Sequence, residues 1–201
     1  MSEWEEKLPP IMREKLARIG EVTQEEKERM KDLDQLTSLL SEFYKGELDS
    51  EGLWKELKGY KDKGKGYLLR EAQMKLIDSL SLGSAAVELQ KRKGGILAIE
   101  NLKQDQNTAM LELGLDSIGG LQKSYKDEIE QAYDNLKAQV ERNPQLRMQQ
   151  VRQGQTTIVV QLTVDEAIKS SQEWNNFVAN HEKRHSQEFA KIIEELRKEI
   201  K

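Results

Sequence analysis

Residues 118–140 read IGGLQKSYKDEIEQAYDNLKAQV, and within this stretch Ile118, Leu121, Tyr125, Ile129, Ala132, Leu136 and Val140 recur at steps of three and four. That spacing lines the apolar side chains along one stripe of an α-helix and turns the charged and amide residues between them toward solvent. Asn143-Pro144 ends the stretch, because the residue before a proline is biased out of the helical region. Similar periodicity recurs along most of the 201 residues. The fold class it predicts is mainly α, with long amphipathic helices in a bundle or an extended coiled-coil arrangement.

Composition agrees. Charged residues make up 34%, hydrophobic residues 36% and aromatics 5%, with three prolines, a mix typical of solvated helices with narrow apolar stripes. A net charge of -4 and a pI near 5.5 argue against a dedicated nucleic-acid binder, which needs a concentrated positive face. The absence of cysteine removes disulfides and thiolate metal sites and fits a reducing cytosol. The acidic start, Met1-Ser2-Glu3-Trp4-Glu5-Glu6, carries no secretory pattern, and apolar runs such as Ile96-Leu97-Ala98-Ile99 are too short to span a bilayer. A soluble, cytoplasmic protein without a membrane partner is the expectation.

Working outward toward the N-terminus, a helical region is expected over 1–150, broken near 20, 46, 59–66, 94–95, 119–120 and 143–144. Pro9-Pro10 opens a short helix toward Gly20. Thr23 followed by Glu26 is a capping box, and its helix carries Met30, Leu33, Leu36, Leu40 and Phe43 before stopping near Gly46. A third helix follows Asp49-Ser50 with Leu53, Trp54 and Leu57, then meets glycines at 59, 64 and 66. From Tyr67 the pattern resumes through Leu68, Ala72, Leu76, Leu80 and Val87 to a stop at Gly94-Gly95, and residues 96–113 are helical again. The glycine pairs at 94–95 and 119–120 are expected to divide the middle of the chain into an antiparallel hairpin.

Residues 151–201 change character. Gln155-Thr156-Thr157-Ile158-Val159-Val160-Gln161-Leu162 is rich in β-branched residues and is the one convincing strand signal. A lone strand leaves its backbone groups unpaired, so pairing of 155–162 across a two-fold axis is expected, making the protein its own partner in a homodimer. Thr163 with Glu166 is a second capping box, opening a helix with Ile168, Trp174, Val178, His181, His185, Phe189, Ile192, Leu196 and Ile200 on one seam.

The only two histidines stand on that seam, as His181-Glu182-Lys183-Arg184-His185. H-E-x-x-H on a helix sets both imidazoles on one face, which is how zinc hydrolases hold a metal with the intervening glutamate as base. His181, His185, Glu182 and Glu188 are therefore the candidate metal ligands, and Glu182 the candidate catalytic base. A zincin also needs a third ligand, and Glu188 lies roughly 10 Å along the axis from His181, too far to share one ion. Glu182 with His185 also fits the Glu-x-x-His element of di-iron bundles, which needs a second such element from another helix or subunit. No cofactor is expected, with zinc or iron as the alternative these histidines offer. The plainer reading is a polar histidine layer within a helix seam.

Gly59-Tyr60-Lys61-Asp62-Lys63-Gly64-Lys65-Gly66 approaches a phosphate-binding P-loop, but Gly66 stands where Ser or Thr is required and a helix precedes it. With Lys55, Lys58 and Arg70 it forms at most a local anion-binding patch; a solvated connection is the simpler role. A strand at 156–162, a helix from Val164, a turn around Asn180 to His185 and a last helix capped by Ser186 would resemble a ribbon-helix-helix DNA-binding dimer. The outward set Thr157, Val159 and Gln161 carries no basic residue to read bases. Three functions follow: first a non-enzymatic scaffold or adaptor acting through self-association and an unidentified protein partner, then a metal-binding protein or metal-dependent hydrolase, then a DNA-binding dimer through 155–201.

Overall fold

The computed structural model describes residues 23–153 and 156–200. The helix expected between Pro9 and Gly20 lies outside the described residues, as does the first residue of the expected strand, Gln155. Among the described residues there are seven α-helices: α1 (Gln24–Lys45), α2 (Ser50–Asp62), α3 (Tyr67–Asp78), α4 (Ala86–Glu100), α5 (Thr108–Arg142), α6 (Val164–Ser170) and α7 (Gln172–Glu199). A short 3-10 turn at Pro144–Arg147 and two strands, β1 (Met148–Gln153) and β2 (Thr156–Gln161), lie between α5 and α6. The mainly α fold is as the periodicity predicts. The chain divides into two compact units, one ending at Leu48 and the other beginning at Asp49.

In the first unit, α1 starts and stops where its sequence dictates. The Thr23 side chain accepts from the Glu26 amide at 3.2 Å while Glu26 Oε2 accepts from the Thr23 amide at 2.8 Å, which satisfies two otherwise orphaned donors. Gly46 ends the helix in the left-handed region at φ 84°, where glycine has no Cβ to clash. Leu36, Leu39, Leu40 and Phe43 are buried, whereas Met30, placed on the same stripe by periodicity, is 60% exposed.

In the second unit, α2 to α5 and α7 share one core containing Leu53, Leu57, Leu68, Leu76, Ile77, Ile96, Ile99, Leu111, Leu115 and Ile118. The α4–α5 connection is held by a buried carboxylate. Glu100 accepts from Gln73 Nε2 at 2.9 Å, from the Asn107 amide at 2.7 Å and from Lys103 Nζ at 3.0 Å. Gln73 also donates to the Ile96 carbonyl at 3.1 Å, so one network ties α3 to the end of α4 and the start of α5.

Neither glycine pair breaks its helix, contrary to the expectation. α4 runs through Gly94-Gly95, and the chain turns earlier, between Ser79 and Ala85. A Cβ on Gly94 would fall 2.8 Å from Ser50 Oγ, so the glycine lets the start of α2 approach α4 closely. α5 likewise continues through Gly119-Gly120, and a Cβ on Gly119 would meet Leu89 of α4 at 3.4 Å. The helix penalty of glycine, about 1 kcal/mol each, is outweighed by the packing of the helices around them.

The strand finds its partner in its own chain. β1 and β2 form an antiparallel hairpin with Met148 opposite Gln161, Gln150 opposite Val159 and Gln153 opposite Thr156. The expectation that the strand must pair with another subunit is corrected on that point: Met148–Gln153 supplies the ladder. Reciprocal bonds between Arg147 and Leu162, amide to carbonyl at 2.8 Å and guanidinium to carbonyl at 2.7 Å, close the hairpin's base. The division expected at 150/151 falls inside β1. A smaller apolar cluster of Leu136, Val140, Ala167 and Ile168, with Tyr133, Leu162, Val164 and Trp174 packed on it, anchors the adjoining end of α5 to α6 and α7.

The helix opened by Thr163 and Glu166 ends at Ser170, not Ile200. The Ser171 hydroxyl then accepts from the Trp174 amide at 3.1 Å and starts α7. From Gln172 to Glu199 that helix is continuous, so the turn expected around Asn180 to His185 does not exist, and with it goes the spacing of a ribbon-helix-helix unit. α5 and α7 run antiparallel: Gly114 meets Leu196, Glu128 meets His185, and Tyr133 meets Trp174.

Candidate metal centre

His181 and His185 lie one turn apart near the middle of α7, on the face that packs against α5, and are 3% and 2% exposed. Their ring centroids are 4.3 Å apart. Tyr125 of α5 approaches His181 at 4.7 Å and meets His185 edge-on at 5.4 Å, while Phe177, one turn earlier on α7, stacks on His181 at 5.2 Å. Aromatic packing sets the ring orientations, for neither Nδ1 atom has a hydrogen-bond partner.

The third member comes from α5. Glu128 Oε2 lies 3.5 Å from His181 Nε2 and 3.4 Å from His185 Nε2. Its other oxygen, Oε1, accepts from the Ser124 hydroxyl at 2.9 Å, one helical turn away, which fixes the carboxylate with Oε2 toward the histidines. Among the described residues, Glu128, His181 and His185 are the one group of three potential ligands whose donor atoms lie within 4.8 Å of one another.

Protonation favours coordination. The Ser124 hydrogen bond chiefly holds the Glu128 carboxyl below its usual range, partial burial opposing and His185 and Arg184 reinforcing. Burial, then repulsion from His185, pushes the His181 imidazole down, with Glu128 opposing. The product is a carboxylate facing a neutral, buried imidazole whose Nε2 makes no hydrogen bond. A buried nitrogen lone pair without a donor is costly unless something binds it.

Glu128 Oε2 and His185 Nε2 form a long hydrogen-bond contact at 3.4 Å, and the same spacing is that of two ligands on one metal ion. N–H···O bonds cluster near 2.9–3.0 Å, whereas ligands placed tetrahedrally about a zinc at roughly 2.0–2.1 Å stand about 3.4 Å from one another. The two Glu128 to histidine separations, 3.4 and 3.5 Å, are of that size. Two imidazoles with one carboxylate suit zinc or iron(II).

Arg184 completes the cluster. One guanidinium nitrogen contacts Glu128 Oε2 and lies 3.0 Å from His185 Nε2, so a cationic group bridges two of the three donors. With Glu128, Phe177, Asn180 and His181, Arg184 lines a cavity of about 290 Å³ beside the donors.

Of the residues chosen from sequence, His181 and His185 are brought together, while Glu182 and Glu188 are exposed and neither belongs to the cluster. Glu128 was missed because 53 residues separate it from His181. The signal available was Ser124 and Glu128 at i, i+4, flanking Tyr125 on the apolar stripe. Around the P-loop-like string, Lys55 pairs with Glu51, Lys58 lies over the Trp54 ring and Lys61 donates to the Leu102 carbonyl, while Lys61 and Arg70 line one cavity with Gly66 and Lys103.

The fold is mainly α with a small antiparallel hairpin, and a two-histidine, one-carboxylate cluster lies between the two longest helices among the described residues. Residues 54–201 match a family described as a family of unknown function (DUF6657), and the chain belongs to it. No curated protein and no solved structure matches the chain. Among the described residues no helix is long and apolar enough to cross a membrane.

Proposed function

We propose that this chain is a helical metal-binding protein that holds one zinc or iron(II) ion through His181, His185 and Glu128. The observation that carries the reading is the convergence of three donor atoms within 4.8 Å, two of them on buried imidazoles packed by the Tyr125 and Phe177 rings. Three protein ligands beside a cavity leave coordination positions for a water or a small molecule, the feature that separates a reactive centre from a closed structural one. His181-Glu182-Lys183-Arg184-His185 then contributes its two histidines, with Glu128 as third ligand. Elemental analysis of untagged protein tests this: wild type retains close to one zinc or iron per chain and His185→Ala retains none. Wild-type protein that takes up no metal when incubated with either ion contradicts it.

A second reading, self-association through the hairpin, rests on a different observation. Ile158, Val159 and Val160 are 39%, 56% and 37% exposed, so β2 presents branched apolar side chains on both of its faces, beside exposed Leu146 and Met148. Thr156–Gln161 contains no charge and no proline, the usual guards of a sheet edge, so a second copy meets no like-charge repulsion there. The partner this reading names is another copy of the chain, and sedimentation analysis tests it.

A further inference from the structure

We infer that Arg184 is a built-in occupant of the metal position, and that metal binding releases its guanidinium to hold a small organic carboxylate in the adjoining cavity. The inference rests on the metal-binding reading above and adds a ligand class to that site.

Exclusion of one cation by the other follows from geometry. One Arg184 guanidinium nitrogen lies 3.0 Å from His185 Nε2 and contacts Glu128 Oε2. A metal ion at bonding distance from both atoms would meet that nitrogen, positive charge against positive charge. The two cations therefore alternate, and loading the metal frees the guanidinium.

The freed group stays at the cavity. Arg184 follows Lys183 on the same helix as both histidines, its side chain is 60% exposed, and it lines the cavity with Phe177 and Asn180. With a divalent ion in place the charges there are two positive from the metal, one negative from Glu128 and one positive from Arg184. This surplus is positive and selects an anion. A carboxylate suits it: one oxygen reaches the open coordination position and the other meets the planar, fork-shaped guanidinium. The Phe177 ring gives the cavity an aromatic wall, and a space of about 290 Å³ accepts a small apolar body behind the carboxylate.

The test uses the untagged full chain loaded with cobalt(II), whose visible absorption reports its ligands, titrated with benzoate, acetate and inorganic phosphate. Wild type is expected to bind cobalt and to shift its visible bands saturably with benzoate, more tightly than with acetate or phosphate. Arg184→Gln, a change at an exposed position, is expected to bind cobalt more tightly and benzoate at least about tenfold more weakly. Arg184→Lys keeps the charge without the fork and should fall between them. Cobalt bound with no spectral response to any anion, phosphate bound more tightly than benzoate, or unchanged benzoate affinity in Arg184→Gln each overturns the carboxylate assignment while leaving the metal site standing. Failure to bind cobalt at all overturns both.

Discussion

Gly114 of α5 lies directly beneath Leu196 of α7: a Cβ added to Gly114 would come within 2.6 Å of Leu196 Cδ2 and 3.1 Å of its Cγ. Leu196 is 2% exposed and has little room to retreat. The glycine thus sets how closely the two helices that carry the candidate site approach each other.

Gly114→Ala and Gly120→Ala, both in α5, should therefore move stability in opposite directions. At Gly120 nothing lies within 4 Å of an added Cβ, so alanine keeps its helix-propensity advantage of up to about 1 kcal/mol. At Gly114 that gain is opposed by overpacking of about 1–3 kcal/mol, for a net loss of up to about 2 kcal/mol. Thermal melts check this, at roughly 2–4 °C per kcal/mol for a chain of this size. Equal stabilisation by both changes would show that Leu196 does not hold its place.

Glu100 should make part of the stability pH-dependent. Burial raises its pKa, but hydrogen bonds from Gln73, the Asn107 amide and Lys103 outweigh this and hold the carboxyl below the ordinary value of 4.5. A depressed folded-state pKa stabilises the fold above the unfolded value, and that contribution is lost as pH falls through the folded value. Glu100→Gln should cost about 1–3 kcal/mol at neutral pH, because an amide cannot accept every donor the carboxylate accepts. Urea midpoints of the two proteins should converge as pH falls below 4.5. A gap that stays constant would contradict the assignment.

Legibility in the sequence followed the range of the interaction. Both capping boxes, Thr23 with Glu26 and Thr163 with Glu166, could be read because the donors and acceptors are three residues apart. The stop at Gly46 was readable for the same reason. Gly94 and Gly119 misled because their roles depend on Ser50 and Leu89 in other helices. β1, Met-Gln-Gln-Val-Arg-Gln, carries no alternation and little β-branching, so only its pairing with Thr156–Gln161 makes it a strand. His181 and His185 were legible as a pair on one helix, whereas Glu128 becomes their neighbour only through the antiparallel packing of α5 on α7.

The hairpin reading predicts that Val159→Lys reduces self-association without unfolding the helices, since Val159 is more than half exposed. Sedimentation velocity over a concentration series, with helicity followed by circular dichroism, checks it. A wild type that sediments as a monomer throughout, or a variant that associates like wild type, would contradict it.

The account stands most directly on zinc affinity, measured by competition with a chromophoric chelator on the untagged full chain. It predicts one zinc per chain, lost in His181→Ala and His185→Ala. In Glu128→Gln, zinc should bind at least about 10–100-fold more weakly, since removing a ligand should cost no less than disturbing a residue that merely supports one. Wild-type protein that binds neither zinc nor iron(II), or a zinc affinity unchanged from wild type in all three variants, would contradict the claim that Glu128, His181 and His185 form a metal site.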